Sequence, residues 1–96
     1  MQSPQKDTDF YLRFEEQLQA SQEWPGIYLF KFIVKADAAQ KALLKSFFND
    51  FNPDFSEKNS SKNTFTSLSV KVKMSSPKEV IAIYKKTENL EGVMAL

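Results

Sequence analysis

Between Ser67 and Met74 the chain reads SLSVKVKM, a two-residue alternation without a break. Leu68, Val70, Val72 and Met74 fall on one side; Ser67, Ser69, Lys71 and Lys73 fall on the other. Strand side chains point to opposite faces in turn, so this is a strand with one dry face and one hydrophilic face. A second run, IYLFKFIVK at 27–35, repeats the pattern less strictly. Tyr28, Phe30, Phe32 and Val34 form its apolar face, and Ile27, Leu29, Lys31, Ile33 and Lys35 a mixed one. Two such strands specify a sheet covered on one side only.

The cover comes from helices. Phe10, Phe14 and Leu18, with Tyr11 alongside, predict a helix from Thr8 that ends before Trp24-Pro25-Gly26, behind a loose tail at 1–7. Asp37, with Gln40 three residues on, is placed to cap a second helix. Its buried face is expected to hold Leu43, Leu44, Phe47, Phe48 and Phe51, with Lys41, Lys45 and Asn49 outward. Asn52-Pro53 ends it, and a short strand around Phe55–Asn59 leads through the polar turn SSKN into the alternating strand. Ser76-Pro77-Lys78-Glu79 combines a capping serine, a first-turn proline and a glutamate three residues past the cap. The helix it starts runs to about Asn89, and Gly92 opens a last short strand, VMAL.

The order is therefore one helix, then β-α-β-β-α-β. That is an α+β ferredoxin-like sandwich, a four-stranded antiparallel sheet with two helices on one face, preceded by an extra N-terminal helix at 8–23. The sandwich itself occupies 24–96. Lys31, Lys35, Ser67, Ser69, Lys71 and Lys73 then lie on the helix-free face.

Ninety-six residues make one small domain, and 42% hydrophobic residues, nine of them Phe, suffice for a core. There is no cysteine and no histidine, which removes thiolate chemistry and the commonest general base and zinc ligand. The polar start lacks the apolar stretch of an export signal, and no run reaches membrane-spanning length, so a cytoplasmic protein is expected. The near-neutral net charge of +1 conceals an asymmetry. Residues 1–23 hold two cations against five carboxylates, net −3; residues 24–87 hold eleven lysines against five carboxylates, net +6; the last nine add −2.

Three stretches imitate chemical motifs. Asp50-Phe-Asn52-Pro-Asp54-Phe-Ser56 resembles the opening of a calcium loop, but Phe55 stands where the turn needs glycine and Ser61 where the bidentate glutamate belongs. Ser75-x-x-Lys78 has the spacing of an activated serine without its companion motifs, and helix capping accounts for it. Ser60, Ser61 and Lys62 could cradle an anion with loop amides and an ammonium, or could simply be turn chemistry. No catalytic residue, metal or cofactor is expected.

From Trp24 onward the chain resembles the YbeD-like family of small bacterial proteins. The stretches that carry the resemblance are WPGIYLFKFIVKA, SSKNTFTSLSVKV in the place of the family's S-S-K-x-x-[FY]-x-S-[VL] segment, and VIAIYKKTENLEGVMAL. The N-terminal helix lies outside the resemblance. It implies a ferredoxin-like fold akin to ACT regulatory domains, and no catalytic residues. Effector-binding ACT domains usually carry glycine in the loop after the first strand, and KADAAQ has none.

The expected function is a small non-enzymatic regulatory or protein-binding module. Its surface is the helix-free face with Lys31, Lys35, Phe65, Lys71 and Lys73, bordered by Lys62. Leu29 and Ile33 add apolar contact there, and of two covers for them the tethered N-terminal helix, with its glutamates near Lys31 and Lys71, is expected ahead of a second subunit or another protein. A protein partner is expected, with a homodimer through the face left open. The alternative is an ACT-like sensor of a small anionic metabolite. Sequence-blind RNA binding ranks third, because the face lacks the aromatic pair of RNA-binding sheets.

Overall fold

The computed structural model describes the backbone of residues 2–35, 38–62 and 64–96 and the side chains of 9–35, 39–62 and 64–96. The elements are α1 (Gln2–Ser21), β1 (Gly26–Lys35), α2 (Ala38–Ser46), β2 (Asp54–Asn59), β3 (Phe65–Met74), α3 (Pro77–Thr87) and β4 (Val93–Ala95). The strands form one antiparallel sheet in the order β2-β3-β1-β4. This strand order and the antiparallel pairing agree with the ferredoxin-like arrangement. The capping role given to Asp37 falls outside the described residues.

β1 and β3 make the spine because both are long and both carry a continuous apolar face. They pair over ten residues, Gly26 opposite Met74 through Lys35 opposite Phe65. The apolar faces match in register: Phe30 stands across from Val70 and Phe32 from Leu68, and all four are fully buried. The Phe30 ring lies 4.8 Å from Tyr28, 5.1 Å from Phe48 and 5.2 Å from Tyr84, centroid to centroid. The first two contacts are edge-to-face, the arrangement favoured by the ring quadrupole. Val80 and Ile83 of α3 and Leu44 of α2 close the core from above.

α3 begins as expected. The N–H of Glu79 donates to Ser76 Oγ, while Glu79 Oε1 accepts from the N–H of Ser75, the residue before the cap, so one first-turn donor is met and the glutamate ties the incoming chain to the helix. Gly92, with φ of +74°, supplies the left-handed turn before β4 that a side chain would strain. Gly26 is needed for space: a Cβ there would sit 2.6 Å from the carbonyl oxygen of Glu23.

Three expectations need correction. α1 starts at Gln2, so residues expected as a loose tail continue the helix; Pro4 falls in the first turn, where its missing N–H leaves no helix bond unmade. α2 ends at Ser46, and Phe47–Asp50 turn instead of continuing the helix. The shortened helix leaves Leu43 exposed while Phe48 stays buried, and Lys41 and Lys45, expected to look out, both reach Glu57 on β2. The third correction concerns α1. It does not cover the helix-free face but lies beside α3 on the helical side. Leu18 is 5% exposed, the Phe14 ring is 5.6 Å from Tyr84, and Glu15 approaches Lys78 at 3.6 Å. The Trp24 indole N–H donates to the Leu18 carbonyl at 2.9 Å and fastens the helix end.

The two lysines hold the Glu57 carboxyl below the usual carboxylate range, mainly through their hydrogen bonds, Lys45 first. A carboxylate with a lowered folded-state pKa stabilises above its unfolded pKa and loses that contribution as pH falls through the lowered value. The group is partly solvated, so the effect is modest. Glu57→Gln is expected to cost under about 1 kcal/mol at neutral pH. In urea titrations at stepped pH, the two proteins should converge once acid has protonated Glu57; a gap that persists in acid would assign the effect to packing.

Candidate interaction face

The register fixes what the helix-free face carries. On β1 the outward residues are Ile27, Leu29, Lys31, Ile33 and Lys35; opposite them on β3 stand Lys73, Lys71, Ser69, Ser67 and Phe65. β2 contributes Asp54, Ser56 and Lys58, opposite Lys71, Ser69 and Ser67. β4 contributes Met94, opposite Ile33. Every lysine expected on the face is there and exposed. Lys62 lies in the β2–β3 turn, beyond the Phe65 end, as a border residue.

With α1 on the other side, the face is uncovered. Ile27 is 54% exposed, Leu29 48%, Phe65 42% and Met94 63%. Exposed apolar residues are ordinary when scattered, but these share one sheet surface. The charge is one-sided as well: Lys31, Lys35, Lys58, Lys71 and Lys73 against Asp54 alone. Among the described residues the ion pairs are Lys41–Glu57, Lys45–Glu57 and Lys78–Glu15, all on the helical side. None of the five face lysines is in an ion pair among the described residues; Asp54 stands opposite Lys71 on the next strand. Between Leu29, Asp54, Ser56, Ser69 and Lys71 lies a shallow hollow of about 190 Å³, floored by the two serines.

Sequence reasoning missed Lys58 and Met94 as members of the face. β2 and β4 are too short for their alternation to reveal which residues point which way, and only pairing with β3 and β1 decides it.

The loop at Ser60–Lys62 is committed to its own turn. Ser60 Oγ accepts from the N–H groups of Thr64 and Phe65 at 3.1 and 3.2 Å, and the Ser60 N–H donates to the Phe65 carbonyl at 2.8 Å. Those two amides are therefore spent on the serine hydroxyl and do not face an anion.

Two larger grooves lie elsewhere. One of about 530 Å³ runs between α1 and α3 and is bridged by Glu15–Lys78 and by Lys85, whose ammonium sits 5.1 Å from the Tyr11 ring centre. The other, about 520 Å³, opens beside β4 and is walled by Phe10, Phe14, Tyr28 and Tyr84. There the Tyr28 and Tyr84 hydroxyls hydrogen-bond at 3.0 Å. Burial, and then this bond, push the Tyr84 hydroxyl far above the usual phenol range, so it stays protonated. Among the described residues no three acidic, histidine or cysteine side chains are grouped to hold a metal ion, and no helix is long and apolar enough to cross a membrane.

No curated protein matches this chain. No solved structure matches it either. One family model does, over residues 19–96, which takes in the whole sheet and both helices that cover it. The chain belongs to that family, described as "Protein of unknown function (DUF493)".

Proposed function

We propose that this protein is a small non-enzymatic module, regulatory in role, that binds another protein through its helix-free sheet face. The observation that carries the reading is the combination on that face of exposed Ile27, Leu29, Phe65 and Met94 with five lysines that form no ion pair among the described residues. Lysines supply long-range attraction and orientation; apolar side chains supply the contact that desolvates. A solvated stripe kept only for solubility would need the lysines but not the leucine, isoleucine and phenylalanine between them. Sensing of a small anion finds less support, because the Ser60 loop is engaged in its own turn. RNA is served by stacking aromatics on the central strands, and Phe65 is the sole aromatic residue that β1 and β3 turn outward.

The test is a nuclease-treated pull-down from native cytosol, with wild type beside a Lys71→Glu, Lys73→Glu variant. Both positions are exposed, so the variant is expected to keep wild-type stability within about 0.5 kcal/mol. A protein held by wild type should be lost by the variant, with retention reduced by about tenfold or more. Identical retention by two equally folded proteins would contradict the reading.

A further inference from the structure

The register divides the helix-free face lengthwise. Ile27, Leu29 and Ile33 lie along β1 and Met94 beside them on β4, whereas Lys71, Lys73 and Lys58 with Ser56, Ser67, Ser69 and a single carboxylate, Asp54, lie along β3 and β2. Lys31 and Lys35 on β1 and Phe65 on β3 cross the boundary. One half is mainly apolar and the other mainly cationic and hydroxylic, with the β1–β3 seam between them.

Across most of this surface the backbone is already paired. β3 is bonded to β1 and β2 and β1 to β3 along their lengths, while β4 pairs with β1 at Phe32–Val34, so a segment laid over the face, as opposed to along the β1 edge at 26–30, finds few main-chain partners there. An extended peptide would bury its own N–H and C=O groups unpaired, at a cost of order 1–3 kcal/mol each. An α-helix makes those bonds within itself. A second copy of this face is a poor partner, because it would set five lysines against five.

We infer that the partner presents an acidic amphipathic helix, laid along the β1–β3 seam with its apolar stripe on Ile27, Leu29, Ile33 and Met94 and its carboxylates over Lys71, Lys73 and Lys58. The charge complementarity fixes the sign of the helix's polar face, and the two-zone pattern fixes its amphipathicity. The six residue steps from Ile27 to Ile33 span roughly 20 Å of strand, which a helix of about 14 residues matches at its rise of 1.5 Å per residue. This inference rests on the reading that the face binds a protein, and goes further in naming the form of the partner.

The experiment titrates the full-length, 15N-labelled protein with three probes. The first is a synthetic peptide of about 16 residues with leucines at helical spacing and glutamates on the adjoining face. The second has the same composition in strict alternation, and the third is an oligo-dT of similar length. The helical peptide is expected to shift the amide signals of Leu29, Lys31, Ser67, Ser69 and Lys71, with affinity about tenfold or more lower for the Lys71→Glu, Lys73→Glu variant. Equal binding by the alternating peptide, tighter binding by the oligonucleotide, or no response of these amides to the helical peptide would each overturn the helix. The pull-down separates the two claims. A lysine-dependent protein partner alongside a failed helical peptide sinks the helix alone; loss of both sinks the reading on which it rests.

Discussion

Phe30→Ala is expected to lower stability by about 3–5 kcal/mol, a large part of the roughly 5–15 kcal/mol that holds a small domain folded. Phe30 is fully buried on the central strand and meets the rings of Tyr28, Phe48 and Tyr84, and the Phe32 ring lies 6.0 Å away, nearly parallel. Those neighbours come from β1, α3 and the turn after α2, so no one element can move to fill the space without disturbing another. A cavity bounded on several sides collapses poorly, which places the cost in the upper part of the range. Urea titration should show a midpoint lowered by about half, or no folded baseline at all. Loss of less than about 1 kcal/mol would mean that the helices do not pack on Phe30 as described.

Leu18→Ala is expected to cost about 2–3 kcal/mol and to leave the helix-free face untouched. Leu18 is the buried residue among the described side chains of α1, and its carbonyl accepts from both the Trp24 indole at 2.9 Å and the Ser21 hydroxyl at 2.8 Å. Its site lies near the surface, where a helix can settle inward, so the lower end of the leucine-to-alanine range applies. Trp24 is the only tryptophan, and its emission reports on this corner. Its fluorescence should shift to the red as α1 loosens, while amide signals of Leu29, Lys31, Ser67 and Lys71 stay in place. Movement of those sheet signals would put α1 on the wrong side of the sheet in this account.

Much of the fold was legible because its determinants are local. The alternation through Ser67–Met74 and Ile27–Lys35 assigns two strands and their buried faces from eight and nine residues, and Ser76-Pro77-x-Glu79 marks the α3 start within one turn. The side on which α1 lies was not legible. Its stripe of Phe10, Phe14 and Leu18 suits either layer, and its acidic character pointed to the lysines of the open face. Magnitude settles it: exposed ion pairs give about 0–1 kcal/mol, whereas burying a large apolar side chain gives about 1.5–3 kcal/mol. Leu18, Phe14 and Tyr11 find that burial against α3 and Tyr84, and Trp24 fastens the helix end there. The candidate site was legible in its β1 and β3 residues and incomplete at its edges. Lys58 and Met94 joined it only through pairing, since three or six residues of strand do not define a face.

The proposed docking surface is the helix-free face and not a groove beside the helices. An amide chemical-shift map of the 15N-labelled protein bound to the partner recovered by pull-down tests it most directly. The perturbed signals are expected to gather at Leu29, Lys31, Ser67, Ser69, Lys71 and Met94, on one surface. Perturbations gathered instead around Phe14, Tyr84 and Thr87, in the groove beside β4, would contradict it.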